Sequence, residues 1–384
     1  MNRENSEKKL SLETLCVLNS GEIRDKTGSV STPIYQTSTF RHEKVGESTG
    51  FDYTRSGNPT RSSLERTVAA LENGTDALAF SSGMAAVSAL MELFKPGDHI
   101  IASDDLYGGT HRLFEHISSK NGLVFTHITH LQNPEDFITP NTKAVYIETP
   151  TNPLMHVHDL NAIAVTAKKH NLLFVVDNTF LTPYFQKPLN LGADIVVHSG
   201  TKFLGGHNDT LAGLLVTAKC ELAEKLRFIQ KTTGACLSPF DSWLVLRGIK
   251  TLAVRLDRQQ ETAKKIALWL QSHKKVKNVF YPGLPTDPGY EISVKQTTGF
   301  GGMISFEVES AELACRALEN LRIISYAESL GGTESLMTYP MTQTHADIPE
   351  EERLRKGINE RLLRLSVGLE AADDLIADLD KAFE

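Results

Sequence analysis

The chain has 384 residues, 40% hydrophobic and 23% charged, with 47 acidic against 40 basic side chains and a formal net charge of −7. That length suits two domains better than one and buries a large core without disulfide staples. The acidic balance argues against a broad phosphate-binding surface, so no nucleic-acid partner is expected, and no apolar run nears the roughly 18 residues that span a bilayer. Four scattered cysteines, Cys16, Cys220, Cys236 and Cys315, show no C-x-x-C spacing. They fit a reducing compartment. Met1 to Lys9 is polar and charged, without the apolar stretch of a signal peptide. A cytoplasmic protein is expected.

Residues 1–60 are rich in Ser, Thr, Gly and Asn and lack a strong helical or strand period. They read as an extended arm lying on something, with a neighbouring subunit as the expectation. Residues 61–71 then predict a helix closed by Asn73-Gly74, residues 77–80 a buried strand, and residues 83–94 a helix closed by Pro96-Gly97. Short apolar runs follow at 99–103, 124–127, 144–148, 172–177 and 194–198, with a helical stretch at 160–170. This alternation predicts an α/β domain over 61–255, its mostly parallel sheet covered on both faces. Residues 256–384 predict a smaller α/β domain, with helices at 259–272 and 311–320 and a strand at 302–308.

Candidate chemistry gathers at the ends of the apolar runs, where ligand sites of such sheets lie. Residues 193–202 pass from an apolar strand through His198-Ser199-Gly200-Thr201 to Lys202. A partly desolvated lysine there acts as nucleophile or base; alone, it equally reads as a loop lysine. Residues 172–177 end in Asp177. A buried carboxylate needs a cationic partner, and a protonated pyridine nitrogen is one; a helix N-cap or local salt bridge is the other reading. Ala79-Phe80-Ser81-Ser82-Gly83-Met84 reads strand, glycine turn, helix start. Free N–H groups there make an anion seat, to which Ser199 and Thr201 add hydroxyls. There is no G-x-G-x-x-G and no P-loop pattern.

Tyr107 precedes Gly108-Gly109, which leave its ring face open for stacking on a flat ring; a core tyrosine is the alternative. Arg55, in Tyr53-Thr54-Arg55 of the arm, offers bidentate phosphate contact, in trans if the arm reaches another subunit, or is a surface residue. Arg364 lies among apolar residues and either clamps a substrate carboxylate or is an edge-strand charge. His127/His130 and His156/His158 have loose metal-like spacing but no accompanying carboxylate or cysteine cluster, so no metal is expected.

Together the stretches Tyr53-Thr54-Arg55-Ser56-Gly57-Asn58-Pro59-Thr60, Ser81 to Ala86, Glu148-Thr149-Pro150-Thr151-Asn152-Pro153, Val176-Asp177-Asn178-Thr179, His198 to Lys202 and Ala327-Glu328-Ser329-Leu330-Gly331-Gly332 resemble the Cys/Met-metabolism family of pyridoxal-phosphate enzymes, from about Gly28 onward. The resemblance implies an aspartate-aminotransferase-like, fold type I domain, pyridoxal 5′-phosphate as cofactor, amino-acid substrates and a homotetramer. It implies Lys202 as the Schiff-base lysine and proton carrier, Asp177 as partner of the ring nitrogen, and Tyr107 as stacking residue and candidate acid–base. Gly83, Met84, Ser199 and Thr201 match phosphate ligands, as do Tyr53 and Arg55 from a neighbouring subunit. Asn152, Ser329 and Arg364 match the substrate-carboxylate residues. Asp105-Leu106-Tyr107, Asn152-Pro153-Leu154-Met155 and Tyr339-Pro340-Met341 are similar to bacterial cystathionine γ-synthases that also act as O-acetylhomoserine sulfhydrylases. That implies γ-replacement on an acyl-homoserine, with β- or γ-lyase action as the alternative. His111 stands where the family commonly has tyrosine.

Overall fold

The structure, a computed structural model, describes residues 10–18, 27–346 and 348–384. Part of the expected arm, residues 1–9 and 19–26, lies outside the described residues. Among the described residues twelve strands are formed: β1 Asp76–Phe80, β2 His99–Ser103, β3 Val124–Ile128, β4 Thr142–Glu148, β5 Leu173–Asp177, β6 Ile195–Ser199, β7 Gly213–Thr217, β8 Val276–Phe280, β9 Met303–Val308, β10 Ser325–Tyr326, β11 Leu336–Thr338 and β12 Leu362–Ser366. The first seven make one sheet in the order β1-β7-β6-β5-β4-β2-β3, the last five another in the order β10-β11-β12-β9-β8.

From β3 through β2, β4 and β5 to β6 the pairing is parallel. All residues of β2 and β7 are buried, and most of β4, β5 and β6. Such unbroken apolar runs are what a sheet covered on both faces selects. β3 lies at the edge and is correspondingly more exposed. β7 runs antiparallel between β6 and β1. The sequence reading did not single β7 out: its Gly213-Leu214-Leu215-Val216-Thr217 run carries no sign of direction. The close approach it makes needs a glycine, because a Cβ at Gly213 would lie 2.0 Å from Ser82 O.

Helix Pro59–Glu72 begins earlier than expected. Asn58 Oδ1 caps it by accepting from Thr60 N–H, Pro59 occupies the first turn, and Asn73 ends it at φ 60°. Within the arm, Leu12–Leu18 is helical although the stretch showed no clear period; it is short, and Cys16 seats it on the large core. Helix Leu252–Ser272 starts seven residues before the expected 259 and contains the expected 255/256 boundary. Leu252 and Leu256 pack in the core under the first sheet, whereas Ala263, Ile266, Ala267 and Leu270 pack against the second. Arg255 donates to the carbonyls of Phe203, at 2.8 Å, and Gly248, at 2.9 Å, tying this helix to the loop after β6.

Candidate active site

The carboxyl ends of the parallel strands meet at one rim, and residues leaving them wall a cavity of about 190 Å³. It is lined by Gly83, Met84, Tyr107, Asn152, Asp177, Ser199, Thr201, Lys202, Ser329 and Arg364. Of the site residues named from sequence, only Tyr53 and Arg55 lie elsewhere.

Lys202 follows β6 in a tight loop, with Gly206 N–H donating to Lys202 O at 2.8 Å and Gly205 N–H to Gly200 O at 2.9 Å. The segment around Gly331 presses on this loop; at φ +79° a Cβ there would meet Phe203 N at 2.6 Å. The Lys202 Nζ therefore reaches Ser329, donating to its Oγ at 2.8 Å. Burial first, and then the positive Arg364, pull the amine down to about 8. A much larger neutral fraction exists near neutral pH than for an ordinary lysine.

Asp177 closes β5. Its Oδ1 accepts the Thr179 N–H at 3.0 Å and the Thr179 hydroxyl at 2.6 Å, and Tyr146 donates to Oδ2 at 3.4 Å. Burial nonetheless raises its pKa, because these neutral donors do not replace water around a charge. Glu148 faces Asp177 across the β4–β5 register. It accepts the Tyr107 N–H at 2.9 Å, and burial together with Asp177 pushes its pKa up. In the sequence Glu148 stands out only as part of the Glu148-Thr149-Pro150-Thr151-Asn152-Pro153 stretch. The signal for a role was present: like Asp177, it is an acid at the end of an apolar strand.

At the β1 turn, Ser82 Oγ accepts the Ala85 N–H at 3.1 Å. The N–H groups of Gly83 and Met84 meet no acceptor among the described residues. Ser199 lies against them, since a Cβ on Gly83 would be 3.2 Å from its Oγ. Thr201 is less free: its Oγ1 accepts the Ala212 N–H at 3.0 Å and donates to Ala212 O at 3.3 Å.

Arg364 sits in β12, flanked by β11 and β9, and so is not an edge residue. It crosses to the first sheet's rim, donating to Asn152 Oδ1 at 2.6 Å, Ser329 O at 3.1 Å and Thr338 Oγ1 at 3.0 Å. Its buried Nε–H has no acceptor among the described residues. Burial lowers its pKa to about 10, which leaves it cationic at neutral pH. His345 supports the clamp from behind, its Nε2 donating to Asn152 O at 3.1 Å. Tyr53 and Arg55 line a separate cavity of about 390 Å³ with Gly234, Cys236 and Pro239. Arg55 donates to Lys231 O at 2.7 Å and lies 5.7 Å from the Tyr53 ring centre.

Residues 13–384 match the family model described as Cys/Met metabolism PLP-dependent enzyme. The chain belongs to this family. Among relatives of the Cys/Met metabolism enzymes, a Bacillus subtilis protein named cystathionine gamma-lyase is 51% identical over 362 residues, covering 94% of this chain and 96% of that protein. Another from the same organism, named cystathionine gamma-synthase/O-acetylhomoserine (thiol)-lyase, is 52% identical over 359 residues, covering 93% and 92%. The crystal structure of cystathionine gamma synthase from Xanthomonas oryzae pv. oryzae, in complex with aminoacrylate and cysteine, superposes with a TM-score of 0.95 at 41% identity and 98% coverage of both chains. The architecture is thus the fold type I α/β arrangement, and the family's cofactor is pyridoxal phosphate. The cavity fits that group: it offers unpaired N–H donors for an anion, a buried carboxylate for a cationic ring nitrogen, and an amine with a lowered pKa.

Proposed function

We propose that the chain is a cystathionine γ-synthase, replacing the γ-acyloxy group of an O-acyl-homoserine with cysteine or another thiol. The cofactor chemistry rests on the Lys202 amine, held at 2.8 Å from Ser329 Oγ on the wall that also carries Asp177 and Arg364; the choice of γ-replacement rests on the 52% identity to a protein named cystathionine gamma-synthase/O-acetylhomoserine (thiol)-lyase.

Lys202 would anchor the cofactor. Gly83 and Met84 N–H, Ser199 and Thr201 would hold its phosphate, Asp177 would pair with the ring nitrogen, and Tyr107 would cover the ring. A second copy of the chain supplies Tyr53 and Arg55 to the phosphate in an oligomer, the homotetramer implied by the family resemblance. Pyridoxal phosphate, when bound, supplies an electron sink for charge developing at the substrate α-carbon. Arg364, Asn152 and Ser329 bind the substrate α-carboxylate and orient its Cα–H toward the Lys202 side of the cavity. Lys202 Nζ, neutral in part because its pKa is near 8, would accept the Cα proton and, in turn, a Cβ proton as the γ-acyloxy group leaves as a carboxylate, and would return both once the thiol has added. Tyr107 takes the proton of the incoming thiol. Glu328, on the same wall, provides a negative charge for the ammonium of the second amino acid. A solvent-poor interior strengthens each of these charges.

The second reading is β- or γ-elimination from cystathionine, favoured by the 51% identity to a protein named cystathionine gamma-lyase. Both begin with removal of the same proton. A product assay separates them. O-acetylhomoserine with cysteine yields cystathionine under the proposed reading. Pyruvate or 2-oxobutyrate from cystathionine alone, with no thioether formed from the mixture, overturns it in favour of the lyase.

A further inference from the structure

Outside this cavity, the fold assembles a group of side chains that the sequence kept apart. His111 and Glu115 stand one turn apart, where helix Gly108–Leu113 runs into the π-helical turn Phe114–Ser118. Such widened turns recur at functional sites because they rotate side chains off the regular helical positions. His127 comes from the neighbouring β3. One ligand atom from each of the three lies within 4.8 Å of the others. His127 Nε2 is 2.9 Å from Glu115 Oε1, and His111 Nε2 is 3.4 Å from Glu352 Oε1.

We propose that His111, Glu115 and His127 form a binding site for a divalent transition metal ion of the zinc or cobalt class, with the Glu352 carboxylate, beside His111, within reach as a fourth donor. Two imidazoles and carboxylates are the ligand set such ions prefer over magnesium or calcium. A tetrahedral ion with bonds of about 2.0–2.1 Å holds its ligand atoms roughly 3.4 Å apart. The three ligand atoms, within 4.8 Å of one another, draw together by up to about 1.4 Å to meet that.

His127 supplies the second observation. Its Nδ1 faces the Ser103 carbonyl oxygen at 3.4 Å while Nε2 faces the Glu115 carboxylate. A carbonyl partner on Nδ1 is the arrangement found in metal-bound histidines; with no ion bound, Nε2 donates to the Glu115 carboxylate at 2.9 Å, and an ion would take the place of that proton. The Glu115 side chain is 40% exposed, so an ion has a way in, whereas His111 is 11% exposed. One opposing charge is present: Lys356 Nζ lies 2.7 Å from Glu352 Oε1 and competes for that carboxylate.

The site links three segments: helix Gly108–Leu113, which follows Tyr107, the edge strand β3, and helix Glu350–Arg355. A bound ion thereby fixes the turn carrying Tyr107 to the sheet. It is a positioning device separate from the reaction chemistry.

The test uses tag-free, chelator-stripped holoenzyme with exposed thiols alkylated, titrated with cobalt(II) alone and then with zinc(II). The expected result is one saturable equivalent per chain, ligand-field bands without thiolate-to-cobalt charge transfer, and a zinc-dependent rise in the thermal midpoint. His111→Gln and His127→Gln each weaken binding by more than roughly tenfold, the loss seen even for outer-shell partners, and remove the midpoint shift. His116→Gln, an exposed histidine on the same helix, changes neither. No saturable equivalent in the wild-type chain overturns the proposal, whatever the variants do. So does binding that survives both histidine substitutions. The wild-type spectrum alone keeps the outcome decisive if a variant does not fold.

Discussion

The rim cavity and the arm each carry a cation named from sequence, and the two are held in opposite ways. Arg364 is 1% exposed and fixed by three acceptors drawn from both sheets, while Lys202 is half-buried beside it. Arg55 is exposed, with a carbonyl of Lys231 as its partner, and Tyr53 is 46% exposed. Desolvation does the electrostatic tuning in the first region: it lowers Lys202 and Arg364 and raises Asp177 and Glu148. The arm has almost no core of its own. Val30 and Val45 are fully exposed in the single chain, a pattern that fits a segment completed by another copy. A single chain preorganises the chemistry, and on the proposed reading assembly supplies part of the phosphate seat.

That contrast is open to attack at several points. The largest effect is expected from Lys202→Ala: loss of the bound-cofactor absorbance and a fall in kcat of at least roughly 10⁴-fold, since both anchor and proton carrier go. Activity near wild type removes Lys202 from the site. Next, Arg364→Ala takes away a buried clamp and leaves Asn152 Oδ1 unsatisfied. A drop in kcat/KM of roughly 10²-fold or more is expected with amino-acid substrates, checked by steady-state kinetics with the cofactor content unchanged. Arg55→Ala is expected to lower cofactor affinity about tenfold while leaving the Arg364 clamp intact, and to do so only in the assembled protein, measured by equilibrium dialysis and sedimentation. An equal loss of substrate binding would mean that the two regions are not distinct.

The smallest effect is a pH dependence. Lys202 is pulled down to about 8, so protonation removes its nucleophilicity below that value rather than below the ordinary lysine range. Cofactor incorporation into the apoenzyme should rise with pH through a midpoint near 8 and slow about tenfold per unit below it. A midpoint near the ordinary lysine value would show that burial does not set the amine's charge.

Much of the rim was legible because the physics is local. Runs such as Leu173-Phe174-Val175-Val176 ending in Asp177, or Ile195-Val196-Val197 leading to Lys202, declare both strand and strand end. What needed the fold is non-local. Nothing near Arg364 says that it reaches Asn152, 212 positions away. The antiparallel β7 and the early start of helix Leu252–Ser272 depend on tertiary packing, the latter on Leu252 and Leu256 finding the large core. Spacing pairs His127 with His130, yet the sheet and the π-helical turn set it beside Glu115 and His111 instead.

The most direct test is to reduce the holoenzyme with borohydride, which fixes the bound cofactor to its lysine, and to locate the label by peptide mass mapping. Label on Lys202 alone is the expected result. Label on another lysine, or none retained by a yellow, active protein, would contradict the assignment of the catalytic amine.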